Sequence, residues 1–172
     1  MVRNLDSFHL ADPIFVDANI FLFHAFAHAE HGDAATRFLE RVELGEVNAV
    51  TSVLVENEVL YKILFQAAAE HLEHCAIWNV RQSLKNDPTF RERVCRPVRQ
   101  YLGYIKALTH KGLTLVDVTV SQMQRAIDLS CQIGLLVTDA THVATWQAHD
   151  ILHVATDDQD LWQVPGVTAW RP

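Results

Sequence analysis

Three aspartates sit where a parallel-sheet protein would keep its reactive groups. Asp17 closes the apolar run Ile14-Phe15-Val16, Asp139 stands at the start of a helical stretch, and Asp158 follows the apolar run Ile151–Ala155. In an open parallel sheet, ligands bind beyond the carboxyl ends of the strands and at the helix starts that face them. Each acid alone has an ordinary explanation, as a helix cap or a turn residue. Together, at one sheet edge, they form a cluster of like charges that a cation would neutralise. Carboxylate oxygens are hard ligands and suit Mg2+ or Mn2+ better than zinc. Such an ion activates water and stabilises charge developing on a phosphate, so phosphodiester hydrolysis is the chemistry this set fits best.

The elements that must hold these acids follow from patterning. Residues 14–17 and 48–51 read as short buried strands, 113–118 as an alternating strand, and 151–155 as a late strand. The first dozen residues read as a short leader before Pro13. A helix is expected from Ala18 to about Glu30, and another from Gly32-Asp33 to Gly45. Ser52 should cap a strong helix reaching the Ala67–Ala69 region. From Glu70 to about His110 the pattern stays helical, with breaks expected at Asn86-Asp87-Pro88 and at Pro97. Ser121 to Ile133 and Thr138 onward complete the helices, and Val167–Trp170 closes the chain. Strands alternating with helices indicate one α/β domain over residues 1–172 with a mainly parallel central sheet.

Four short segments, in this order, resemble the blocks of the PIN-domain family. They are Ile14-Phe15-Val16-Asp17-Ala18-Asn19, Thr51-Ser52-x-x-Val55-x-x-Glu58, Asp139-Ala140-x-His142-x-Ala144 and Thr156-Asp157-Asp158-Gln159-Asp160-Leu161. The resemblance spans nearly the whole chain and implies a three-layer α/β/α fold with a helical insertion. It also implies a divalent-metal-dependent endoribonuclease, similar to the VapC toxin of a VapBC-like toxin–antitoxin pair. Carried over by position, Asp17, Glu58, Asp139 and Asp158 become the catalytic acids, with Asp17, Asp139 and Asp158 holding Mg2+ or Mn2+. Asn19 and Asp160 become auxiliary. An RNA substrate, a protein antitoxin and a homodimer are the implied partners.

Two of those choices rest on family spacing. Glu56 and Glu58 point about 200° apart on a helix, so only one can face the site, and periodicity does not choose between them. Asp157 and Asp158 compete likewise, and the Thr-x-Asp-x-Asp pattern favours Asp158 with Asp160. Ala18 stands where the family usually has Thr or Ser, and Leu161 where Phe is common; neither change removes a ligand.

The charge balance qualifies the substrate. The net charge of −7 argues against indiscriminate nucleic-acid binding by the whole surface. Between Arg81 and Lys111, however, eight cations face only Asp87 and Glu92, leaving −13 for the remainder. This basic helical region, residues 70–111, is expected to grip an RNA backbone, with Arg91, Arg96 and Arg99 as contacts. A solvated charged helix face is the plainer reading. Three scattered cysteines without a CxxC pair, no signal-like start and no long apolar run point to a cytoplasmic protein away from membranes.

Other signals are weaker. The histidines His24, His28 and His31, and the run Glu70–Cys75, have helical spacing but no further ligands defined by sequence. His142 reads as a packing histidine one turn beyond Asp139. The absence of a glycine-rich phosphate loop excludes nucleoside-triphosphate hydrolysis. A non-catalytic RNA-binding or scaffold protein of the same fold is the alternative, and its mark would be loss of pocket acids.

Overall fold

The computed structural model describes all residues, 1–172. Six strands form a single, wholly parallel sheet: β1 (Val2–Asn4), β2 (Ile14–Val16), β3 (Ala49–Ser52), β4 (Leu113–Val116), β5 (His153–Ala155) and β6 (Thr168–Arg171), in the order β1-β6-β5-β2-β3-β4. Eight helices connect them: α1 (Ala18–Ala25), α2 (Gly32–Glu43), α3 (Val53–Ala69), α4 (Ile77–Asn86), α5 (Pro88–Thr109), α6 (Val120–Ile133), α7 (Val137–Ala148) and α8 (Gln159–Trp162).

Chain direction decides where the site must lie. From β2 the chain crosses through α1 and α2 to β3, then on to β4. It returns through α6 and α7 to β5, on the other side of β2. Because parallel crossovers are right-handed, α1–α2 and α6–α7 cover opposite faces, which makes the three-layer α/β/α arrangement. The direction reverses between β2 and β5, so a crevice opens at the carboxyl ends of those two strands. The register pairs Val16 with Ala155, which sets Asp17 beside Thr156 at that crevice.

Burial explains the short strands. Ile14, Phe15 and Val16 are all shielded, as β3 is throughout, because helices cover both faces. Phe15 packs its ring against Trp146 of α7, with centroids 5.5 Å apart. Ser52 accepts from the Val55 amide and caps α3, and the Thr51 hydroxyl donates to the Val16 carbonyl, tying β3 to β2. Thr119 and Gln122 form a reciprocal capping box on α6, one residue earlier than the expected start at Ser121. Gly134 ends that helix in the left-handed region at φ 76°.

Four expectations need correction. The first dozen residues are not a leader: β1 pairs with β6, and Leu5 and Phe8 are fully buried. Phe8 meets the Trp170 ring edge-on at 5.0 Å. The first helix stops at Ala25, not near Glu30, because Ala27 turns the chain at φ 46° before α2 begins at Gly32. The helical stretch after α3 breaks over residues 70–76, a mostly polar run in which Leu72 alone is half-buried and no helical apolar stripe forms. Conversely, Pro97 does not interrupt α5. The carbonyl it deprives is that of Arg93, an exposed residue whose backbone can turn to water.

The basic region thus becomes α4 and α5, with Asp87 capping α5 through the Thr89 and Phe90 amides and Pro88 in its first turn. A small satellite core of Ala67, Ala68, Val80, Phe90 and Val94 fastens α4 and α5 onto the distal half of α3.

Candidate active site

Asp17 is held more tightly than a capping residue needs to be. Its Oδ1 accepts from the Ala18 amide at 2.7 Å, and its Oδ2 accepts from Asn19 Nδ2 at 2.7 Å and Thr156 Oγ1 at 2.8 Å. The residue is only 7% exposed. Burial pushes its carboxyl above the ordinary range; the His142 charge and the Thr156 and Ala18 hydrogen bonds oppose that rise, and Glu58 adds to it.

Thr156, fully buried at the end of β5, is the centre of this arrangement. Besides donating to Asp17, its hydroxyl accepts from Asn19 Nδ2 at 3.0 Å and from the Asp158 amide at 3.0 Å. Asn19 Oδ1 in turn accepts from the Asp157 amide at 3.3 Å. Asn19 therefore ties the loop after β5 to the start of α1.

Asp158 caps α8, and its Oδ1 accepts from the Asp160 amide at 2.9 Å. Asp160 itself is exposed, and its carboxylate makes no hydrogen bond or ion pair; its backbone supports Asp158. Asp157 is occupied elsewhere, accepting from Arg171 Nε at 2.5 Å and lying 3.4 Å from His31 Nε2. Of the two adjacent aspartates, Asp158 is the one electrostatically coupled to Asp139.

Asp139 lies in the first turn of α7, whose own cap position is Leu136. Partial burial raises its carboxyl; the Asp158, Asp17 and Glu58 charges raise it further, while His142 opposes them. One turn on, His142 is 2% exposed, and its Nε2 is 3.1 Å from Glu58 Oε2. Burial works against an imidazolium there, yet the Glu58 hydrogen bond and the charges of Asp17, Glu58 and Asp139 together raise its pKa. His142 thus joins Glu58 of α3 to the acidic cluster, in addition to packing against Phe15. Glu56, on the opposite side of α3, makes no such contact.

The signal for His142 was its position three residues after Asp139, on the same helix side. Thr156 had no signal beyond its motif, because its role comes from the register of β5 on β2.

The donor set suits a hard divalent cation: four carboxylates, two of which are held back from ionising by burial first and by their neighbours' charges second. As the side chains stand, no three of them close on one point at ligand distance. Mg2+ asks for less, since it is commonly held by one or two carboxylates with water and substrate phosphate completing the octahedron.

The cations of the basic region divide. Arg91 and Arg96 lie about 140° apart around α5. Arg91 Nη1 donates to the Leu84 carbonyl at 3.1 Å, on the α4 side. Arg99 is paired with Glu92, its Nη1 at 3.1 and 3.2 Å from the two carboxylate oxygens. Arg96 is exposed without a carboxylate partner. Arg91, Arg96 and Arg99 therefore do not form one patch. Of the histidines, His28 and His31 stack face to face at 5.2 Å, whereas His24 lies against Tyr101 and Tyr104. No helix is long and apolar enough to cross a membrane.

Comparisons with known proteins give the same fold. A toxin–antitoxin complex from Klebsiella pneumoniae is 18% identical, with a TM-score of 0.54 over 90% of this chain and 94% of that one. VapC20 of Mycobacterium tuberculosis, described as a toxin cleaving the sarcin–ricin loop, is 16% identical, with a TM-score of 0.57 over 86% and 91%. VapBC2 of Rickettsia felis, bound to promoter DNA, is 13% identical, with a TM-score of 0.54 over 92% and 98%. Curated protein sequences give no match. The profile of the PIN domain matches residues 14–167, nearly the full length, and so the chain belongs to the PIN-domain family.

Proposed function

We propose that the protein is an endoribonuclease dependent on Mg2+ or Mn2+, acting as the toxin of a VapBC-like pair. The observation that carries this reading is the gathering of Asp17, Glu58, Asp139 and Asp158, near enough for their charges to act on one another, at the crevice where the sheet reverses direction. Asp17, Asp139 and Asp158 would hold the ion, which supplies an activated water and neutralises charge on the phosphate. The chain's own groups perform the rest. Asn19 and Thr156 orient the Asp17 carboxylate through its Oδ2, leaving Oδ1 shared with one amide. The buried His142 and the half-buried Glu58 form an acid–base pair beside it, able to hold a proton near the phosphate. The toxin–antitoxin neighbours support a protein partner that blocks this crevice, and a homodimer is part of the same reading.

The test is cleavage of a structured RNA by purified protein, with Mn2+ or EDTA, comparing the wild type with Asp17→Asn. Cleavage that needs the metal and is lost in the variant is expected. Equal cleavage by both proteins would refute the assignment. Binding of RNA with no turnover under any divalent ion would instead favour a scaffold role.

A further inference from the structure

Beside the acidic crevice runs a second surface of opposite character. On α3, Glu58, Tyr61 and Phe65 fall on one side of the helix, and Phe65 lies about 10 Å beyond Glu58 along the axis. Tyr61 and Phe65 pair their rings at 4.6 Å and 37°. They form one wall of a shallow groove of about 520 Å³, whose other walls include Ile77, Arg81 and Lys85 of α4 and Arg91 of α5. Three cations and no carboxylate line it. None of the three is ion-paired, in contrast to Arg99.

At the outer lip, Trp78 is 62% exposed and shares a small depression with Arg81 and Lys85. The spacing Trp78, Arg81, Lys85 puts the indole and both cations on one side of α4. Tyr61 is half exposed as well. Core packing accounts for Phe65, which lies against the satellite core, but not for Trp78 or Tyr61: the buried residue of α4 is Val80, which enters that core.

Exposed aromatic faces interleaved with unpaired cations are what single-stranded nucleic acid binds, by base stacking and backbone attraction. The −13 balance of the rest of the chain makes this the surface that would attract a polyanion. A duplex offers no free base faces to Trp78 or Tyr61. We infer that the groove between α3, α4 and α5 is a docking site for single-stranded RNA that leads to Glu58, with Trp78 and Tyr61 stacking bases and Arg81, Lys85 and Arg91 holding phosphates. This rests on the ribonuclease reading for the substrate. It also relocates the RNA contacts, retaining Arg91 and replacing Arg96 and Arg99 by the α4 face.

The experiment uses full-length Asp17→Asn protein, so that RNA survives, and an oligouridine of about twelve residues as probe. Fluorescence anisotropy gives Kd, and tryptophan emission, read in a Trp162→Phe background because Trp162 is half-buried, reports stacking on Trp78, since Trp146 and Trp170 are buried. Trp78→Ala should weaken binding about tenfold and abolish quenching, whereas Trp78→Phe should keep most of the affinity. Arg81→Ala with Lys85→Ala should lower the slope of log Kd against log salt by about 1.4. Arg99→Ala should change nothing, and a blunt RNA duplex should bind more weakly. Kd values within twofold of the parent for both the Trp78→Ala and the Arg81/Lys85 variants would overturn the inference and leave this face to a protein partner. Failure of the wild type to cleave any RNA would remove the ribonuclease reading, while the binding comparison would still decide this surface.

Discussion

Replacing Thr156 with valine keeps the side chain's shape and removes one hydroxyl, so the loss can be worked out bond by bond. The hydroxyl donates to Asp17 Oδ2 at 2.8 Å and accepts from Asn19 Nδ2 and the Asp158 amide, both at 3.0 Å. A hydrogen bond to an ionised group contributes about 1.5–3 kcal/mol. Asn19 keeps its other bond to Asp17, so its loss is small. The Asp158 amide loses its side-chain partner, adding about 1 kcal/mol. Thr156→Val should therefore destabilise the metal-free protein by about 2–4 kcal/mol at neutral pH, read by urea unfolding in EDTA. Loss of the Thr156 donor also pushes the Asp17 carboxyl further up, so Mn2+ affinity should fall and recover partly at higher pH. Thr156→Ser restores the hydroxyl and should recover most of both. Stability within about 0.5 kcal/mol of wild type, with unchanged Mn2+ affinity, would refute the role given to this residue.

Further outcomes follow from the same geometry. The Asp17 and Asp139 carboxyls are raised in the folded state, so between their ordinary range and the raised values the folded protein binds more protons than the unfolded chain. Metal-free stability should therefore fall as pH rises through that window, and His142, also raised, should lose its contribution as pH rises through its folded value. Divalent ion should reverse the trend, giving a larger Tm increase at pH about 8 than at about 6, measured by thermal melts. Glu58→Gln removes the charge that pairs with His142 and should lower cleavage about tenfold or more, while Glu56→Gln stays near wild type in the same assay. Phe8→Ala should cost about 3–5 kcal/mol in urea unfolding, despite its place near the chain start, because the ring is fully buried against Trp170.

Much of this architecture can be read from residue order, and the exceptions have physical causes. The runs ending in Asp17 and leading to Asp158 are apolar because helices cover both faces of the central strands, so those strands and their acids are visible in sequence. β1 is an edge strand whose three residues are all exposed; only Leu5 and Phe8, beyond it, reveal that the segment is anchored. Pro97 misleads because a proline costs a helix little where the freed carbonyl meets water. The site divides in the same way. Acids at strand ends announce themselves, whereas the Thr156 network depends on which strand lies beside β2. Family spacing favours Glu58 over Glu56, and of the two it is Glu58 that contacts His142. The grouping of Arg91, Arg96 and Arg99 failed to account for helix rotation and for Glu92, which lies close to Arg99 around α5.

The central claim is that the carboxylates at the sheet's reversal point form one divalent-metal centre. A Mn2+ titration followed by electron paramagnetic resonance, on wild type and on Asp17→Asn, Asp139→Asn and Asp158→Asn, tests it most directly. Saturable binding to the wild type should weaken about tenfold or more in each variant, while Glu56→Gln binds normally. Mn2+ binding by all three aspartate variants at wild-type affinity would contradict it.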